Sequence, residues 1–143
     1  LLIGLVLLSS NSLIAGWVYP QTQINKVKQL QYEGRSIIKK IKTQEELIAH
    51  KEGLYDQAKK AYYAASDGIT SLASSKRPGK TKKMAALAKK RTDAHSLRTK
   101  LTREITQEKM TLTKLNSERT KLMSAYQAES TKLKKIMAAK PKA

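Results

Sequence analysis

Charged side chains are unevenly distributed along this chain. Residues 1–25 contain no Asp, Glu, Lys, Arg or His, and the first charged residue is Lys26. The 29 basic and 11 acidic side chains therefore all follow residue 25. This contrast predicts a hydrophobic leader joined to a cationic body.

The leader has the length of a membrane-spanning helix. Two apolar runs, Leu1–Leu8 and Leu13–Tyr19, flank a Ser-Ser-Asn-Ser patch, and Pro20 ends the second run. As a helix, this stretch would measure about 28 Å, close to the roughly 30 Å thickness of the hydrocarbon layer. We therefore predict a membrane anchor over residues 1–20, although a cleavable signal peptide and a helix buried in a larger assembly fit the same pattern.

The residues after the leader predict its membrane interface and its orientation. Aromatic rings concentrate at the interface, and lysines favour the cytoplasmic side of a bilayer. The body is accordingly expected on the cytoplasmic or interior side of the membrane. The predicted interface residues are Trp17, Tyr19, Lys26 and Lys28.

Two stretches of the body show the alternating three- and four-residue spacing of a helix–helix seam. Ten of 13 positions are apolar in the first stretch and 11 of 16 in the second. The first seam consists of Val27, Leu30, Gly34, Ile37, Ile41, Gln44, Ile48, Lys51, Tyr55, Ala58, Tyr62, Ala65 and Ile69. The second consists of Met84, Leu87, Arg91, Ala94, Arg98, Leu101, Ile105, Glu108, Leu112, Leu115, Arg119, Leu122, Tyr126, Glu129, Leu133 and Ile136.

A Pro-Gly pair between the two stretches predicts a turn. The expected organisation is a helix over 21–73, a basic hinge over 74–81, a helix over 82–138 and a basic tail over 139–143, with Asp67-Gly68 as an alternative end of the first helix. The predicted fold class is all-α: a transmembrane or hydrophobic helix followed by a long antiparallel helical hairpin, a coiled coil. In the alternative arrangement, the two arms splay apart and pack on different neighbours.

A hairpin of this kind would pair residues whose numbers sum to about 153. That register sets the acidic cluster around Glu45, Glu46, Glu52 and Asp56 opposite the basic residues Arg98, Lys100 and Arg103. We therefore expect opposite charges to face each other here. The polar interruptions of the seam weaken it, and they also offer a means of fixing its register.

Positive charge concentrates at the hinge and at the C-terminal end. The chain has a net charge of +18, and residues 76–100 hold ten basic side chains and one acid, Asp93. Residues 132–142 add five lysines and no acid. The hinge charges suit an anion- or partner-binding surface and equally a solvated loop. The candidate binding residues are Lys76, Arg77, Lys80, Lys82, Lys83, Lys89, Lys90 and Arg91.

Sequence signals for catalysis are weak throughout the chain. The absence of cysteine excludes disulfides, thiolate metal sites and thiol catalysis. Gly79-Lys80-Thr81 matches the end of a phosphate-binding loop, but Ser74 stands where that motif requires glycine. His50 and His95 do not meet in the predicted register. We therefore expect a protein that is not an enzyme and has no cofactor, bound metal or small-molecule substrate.

The pattern favours a structural or scaffolding subunit of a large membrane-associated assembly. A minor structural protein of a membrane-containing virion and a stalk subunit of a membrane complex would both suit this pattern. The expected partners are a membrane and acidic protein subunits. Two alternatives stay open: a membrane-tethered, non-specific binder of nucleic acid or anionic lipid, and an exported helical protein such as a secretion-pilus component.

Overall fold

A computed structural model describes residues 17–141 and contains two long helices that form a hairpin. Helix α1 spans Gln21–Ala73 and helix α2 spans Lys80–Ala138. The predicted all-α hairpin is thereby confirmed. The anchor predicted over residues 1–20 lies mostly outside the described residues, and residues 17–20, which are described, are not helical. Within residues 17–141, neither helix contains a stretch apolar enough to cross a bilayer.

Gly79 and Lys80 stabilise the turn between the helices. Gly79 has a φ of 77°, a left-handed conformation that glycine adopts without the steric cost of a Cβ atom. Its carbonyl accepts the first hydrogen bond of α2, from the Lys83 amide at 3.2 Å. At the end of α1, the Lys80 ammonium donates to the Ala73 carbonyl at 2.7 Å. A lysine that binds a final carbonyl also interacts favourably with the helix dipole.

Helix α1 continues through the alternative break at Asp67-Gly68. Gly68 lies at a point where the two helices pack closely, because a Cβ atom at this position would come within 2.9 Å of Leu87 Cδ1. Glycine therefore serves here as a point of close approach between the helices. It does not end the helix.

The chain divides into two compact units. One comprises the described residues up to Lys39 together with those from Asn116 onward, and the other comprises Lys40–Leu115. The buried aliphatic residues of both units all belong to the predicted seam. They are Val27 and Ile37 in the first unit, and Ile41, Ile48, Ala58, Ala65, Ala94 and Leu101 in the second.

Polar seam residues of the second unit pair with one another. The Gln44 amide donates to the Glu108 carboxylate and, at 3.1 Å, to the Glu108 backbone carbonyl. Lys51 Nζ lies 3.0 Å from Glu108 Oε1 and 3.5 Å from Glu104 Oε2. Because a half-buried polar group costs free energy unless it is paired, these contacts favour this one alignment of α1 on α2.

The first unit contains an equivalent contact. The Gln23 amide donates to Glu129 Oε2 at 2.6 Å and to the Glu129 backbone carbonyl at 2.8 Å. Both glutamines sit on α1 and both glutamates on α2. Both pairs also agree with the register predicted from the sequence. The polar interruptions of the seam thus match each other across the hairpin.

The charge pairing expected for the acidic cluster is wrong in its details. Glu52 pairs with Lys109 at 2.8 Å, and Lys100 contacts Glu104 of its own helix at 3.9 Å. The central ion pair instead joins Lys51 of α1 to glutamates of α2. Residue numbers specify how far along the hairpin a side chain lies, but its helical face decides whether it reaches the other helix.

Glu108 gives the hairpin a defined dependence on pH. The hydrogen bonds from Gln44 and Lys51 hold the pKa of the Glu108 carboxyl below its ordinary value. Stabilisation by this carboxylate is therefore complete above the ordinary pKa of glutamate, and it is lost as the pH falls through the lowered folded-state pKa.

We accordingly expect Glu108→Gln to lower the urea midpoint at neutral pH, with a difference from wild type that shrinks in acid. Urea titrations followed by helical circular dichroism at several pH values measure this difference. The matched control is Glu118→Gln, an exposed glutamate of the same helix. A deficit of Glu108→Gln that stays constant into acid would show that the carboxylate contributes no charge-dependent stability.

Candidate partner-binding surfaces

The candidate anion-binding residues lie at the loop and along the first turns of α2. We call Lys76, Arg77, Lys82, Lys83, Lys89, Lys90 and Arg91 the loop cluster. Six of these side chains are exposed, and Arg91 is half-buried. Lys80 differs from the others because its ammonium caps α1. Lys80 therefore stabilises the end of α1 and also adds positive charge to this surface.

The loop cluster is not neutralised by the hairpin itself. Among residues 17–141, no ion pair involves any member of the cluster. Asp93, the one acid between residues 76 and 100, is exposed and also makes none within the described part of the chain. Like charges held this close raise the local positive potential and attract anions. The cluster is a surface whose charge the described fold leaves uncompensated.

The predicted interface residues lie in the first unit, where Trp17 contacts the end of α2. The Trp17 indole Nε1 donates to the Ile136 carbonyl at 2.7 Å. Lys140 Nζ lies 5.6 Å from the centre of the indole ring, a cation–π distance. Tyr19 packs edge-on against Trp17, with their ring centroids 6.1 Å apart. These contacts bring the start of the described chain together with the lysine-rich tail.

The two lysines of the predicted interface are both exposed on the first turns of α1. The hydrogen bonds from Gln23 and Lys132 lower the pKa of the Glu129 carboxyl, and the charge of Lys26 adds a smaller contribution in the same direction. Lys28 makes no ion pair among the described residues. Trp17, Tyr19, Lys26 and Lys28 therefore belong to one unit, together with the C-terminal lysines.

An aromatic cluster that was not predicted from the sequence surrounds Arg98 in the second unit. The guanidinium carbon lies 5.5 Å from the Tyr55 ring centre, 5.2 Å from that of Tyr62 and 6.0 Å from that of Tyr63. Arg98 Nη2 also donates to the Tyr55 hydroxyl at 3.4 Å. Tyr55 and Tyr62 are both members of the predicted seam, so the sequence contained one signal of this cluster. A seam arginine opposite two seam tyrosines indicates a cation–π layer.

Within the described part of the chain, the histidines do not form a metal site with other side chains. His50 and His95 are both exposed, and His95 lies against Tyr62 with 6.1 Å between the ring centroids. Across residues 17–141, no group of three or more His, Cys, Asp or Glu side chains is placed to hold a metal ion.

Comparisons of this chain with protein-family models, with curated proteins and with solved structures find no match. The function proposed for it therefore rests on its residues, contacts and charges.

Proposed function

We propose that this protein is a structural subunit of a large membrane-associated assembly. Its hydrophobic leader anchors it in a bilayer, with the basic body on the cytoplasmic or interior side. The loop cluster binds acidic protein neighbours. A minor structural protein of a membrane-containing virion and a stalk subunit of a membrane complex both fit this description.

The main support for this proposal is the unpaired state of the loop cluster within the described fold. The seam is held by aliphatic burial and by its own polar pairs, so folding does not use the cluster charges. Exposed like charges repel one another, and a neighbour of opposite sign relieves that repulsion. Carboxylate-rich protein surfaces provide that charge.

The seam pattern supports a role in spanning distance. Its three- and four-residue spacing is typical of an antiparallel coiled coil, which needs little apolar bulk for each turn of helix. Three of the buried seam residues of the second unit are alanines, namely Ala58, Ala65 and Ala94. A thin seam of this kind suits a spacer between a membrane and a partner.

The anchor is tested by floating the full chain with neutral phosphatidylcholine vesicles in 1 M salt. Because insertion is hydrophobic, we expect wild type to float despite screening of its charges. A Leu5→Lys, Leu7→Lys variant should stay in the dense fraction. Flotation of wild type only with anionic vesicles at low salt would contradict the anchor and favour the binder of anionic lipid.

The partner class is tested by comparing polyglutamate with a DNA duplex at equal concentrations of charge. The proposal expects polyglutamate to bind at least as tightly as DNA. Residues 76–91, which carry the loop cluster, contain no Phe, Tyr, Trp or His, so the cluster itself offers no ring for base stacking. A strong preference for the duplex, lost steeply as salt rises, would instead identify a non-specific binder of nucleic acid.

A further inference from the structure

One side of the second unit carries an open apolar groove between α1 and α2. Its α1 wall consists of alanines, and its α2 wall includes Leu87 and Leu97. Leu97 is 44% exposed, so the groove opens to solvent. The α1 wall includes Ala61 and Ala64.

The small side chains give this groove the shape of a helix-docking site. Helices pack about 8–10 Å apart, and the shorter distances require small residues at the contact. Ala61 is exposed, although it lies next to buried seam residues. An apolar ridge on another helix could therefore reach the floor of the groove between the alanine wall and Leu97. Peptide helices dock into grooves of this kind through residues at three- and four-residue spacing.

The charge along the groove selects the kind of helix that fits. Lys90 and Asp93 lie in its α2 wall. Lys83 precedes Lys90 by seven residues and shares its helical face, so the α2 rim carries two lysines against one acid. Neither lysine makes an ion pair within residues 17–141. A second copy of this chain would bring the same lysines against this rim. A helix flanked by carboxylates would meet it with opposite charge.

We propose that this groove docks an amphipathic helix of an acidic partner protein, with its apolar ridge on the alanine wall and its carboxylates against Lys83 and Lys90. This inference rests on the proposed function, because it specifies how an acidic neighbour is held. The loop cluster attracts the partner, and the groove sets its position and orientation.

The test uses a synthetic, fluorescently labelled 21-residue helix with a leucine and alanine ridge flanked by glutamates. Binding to the full chain is followed by anisotropy at moderate salt. We expect Ala61→Gln with Ala64→Gln to weaken binding at least tenfold, because the added bulk fills the groove without changing the charge. The matched control is Ala49→Gln with Ala85→Gln, two exposed alanines outside the groove, which should bind like wild type.

Three outcomes would overturn the inference. The first is the absence of peptide binding by wild type, and the second is equal binding by the groove variant and its control. The third is a dimer in sedimentation equilibrium that only the groove variant dissociates, since the groove would then hold a second copy. Polyglutamate binding distinguishes failure of this inference from failure of the proposed function. If peptide docking fails but the groove variant still binds polyglutamate, only the inference is contradicted. If wild type does not bind polyglutamate, the proposed function itself is contradicted.

Discussion

Leu101→Ala is expected to lower the free energy of unfolding by about 2–4 kcal/mol, as for other large-to-small substitutions at buried positions. Leu101 is 3% exposed, the lowest value among the buried aliphatic residues. Its seam neighbours at one-heptad spacing include Ala94, which is too small to fill the space that the leucine would vacate. Because the seam is narrow, few other side chains can repack to offset the lost contacts.

Leu97→Ala provides the matched control for this prediction. It removes the same atoms from the same helix, but Leu97 is 44% exposed. We expect its cost to stay below about 1 kcal/mol, as is usual for surface positions. Urea unfolding followed by circular dichroism at 222 nm measures both variants. Equal costs at the two positions would contradict the assignment of Leu101 to the seam.

The second large effect concerns the loop cluster. Changing Lys82, Lys83, Lys89 and Lys90 together to glutamine should weaken polyglutamate binding by about fourfold to several hundredfold at low salt, because four exposed charge pairs at about 0.2–1 kcal/mol each contribute about 0.8–4 kcal/mol. All four side chains are exposed and lack ion pairs within residues 17–141, so thermal stability should change little. Anisotropy of labelled polyglutamate, measured over a salt series, gives the affinity and its screening.

The control for the loop cluster removes the same total charge elsewhere. Lys40, Lys42, Lys114 and Lys121 are exposed lysines distant in sequence from the loop. Their joint change to glutamine lowers the net charge equally. A similar loss of polyglutamate binding in both variants would mean that net charge alone attracts the anion, and that the loop cluster is not a distinct binding surface.

The hairpin could be predicted from the sequence because two signals agree. The seam spacing predicts two helices, and Pro78-Gly79 is the one strong interruption between them. A glycine alone is a weaker signal, as Gly68 demonstrates. Its role is close approach to Leu87, which only the three-dimensional packing reveals.

The polar pairs of the seam were harder to predict than its apolar positions. Glu108 was recognised as an interruption, but its partners Gln44 and Lys51 follow from the exact rotation of each helix. The ion pairs predicted for the acidic cluster were wrong for the same reason. Glu45 and Glu46 are exposed, whereas Glu108 is half-buried against the other helix. Spacing along the chain locates a layer of the hairpin, and the helical face determines which side chains meet within it.

The groove was not recognised from the sequence because alanines are uninformative in a helix. Ala61 and Ala64 have high helix propensity and fit an exposed surface as well as a docking site. Their meaning depends on Leu87 and Leu97 of the other helix, which form the opposite wall. The loop cluster, by contrast, was visible in the sequence as an excess of charge.

The central claim is that one molecule links a bilayer to an acidic partner. Its most direct test is flotation of neutral vesicles carrying the full chain in the presence of labelled polyglutamate. We predict that the label rises with wild-type vesicles and stays in the dense fraction with vesicles carrying the four-lysine loop variant. Wild-type vesicles that float without the label, or a chain that binds the label but does not float, would contradict the claim.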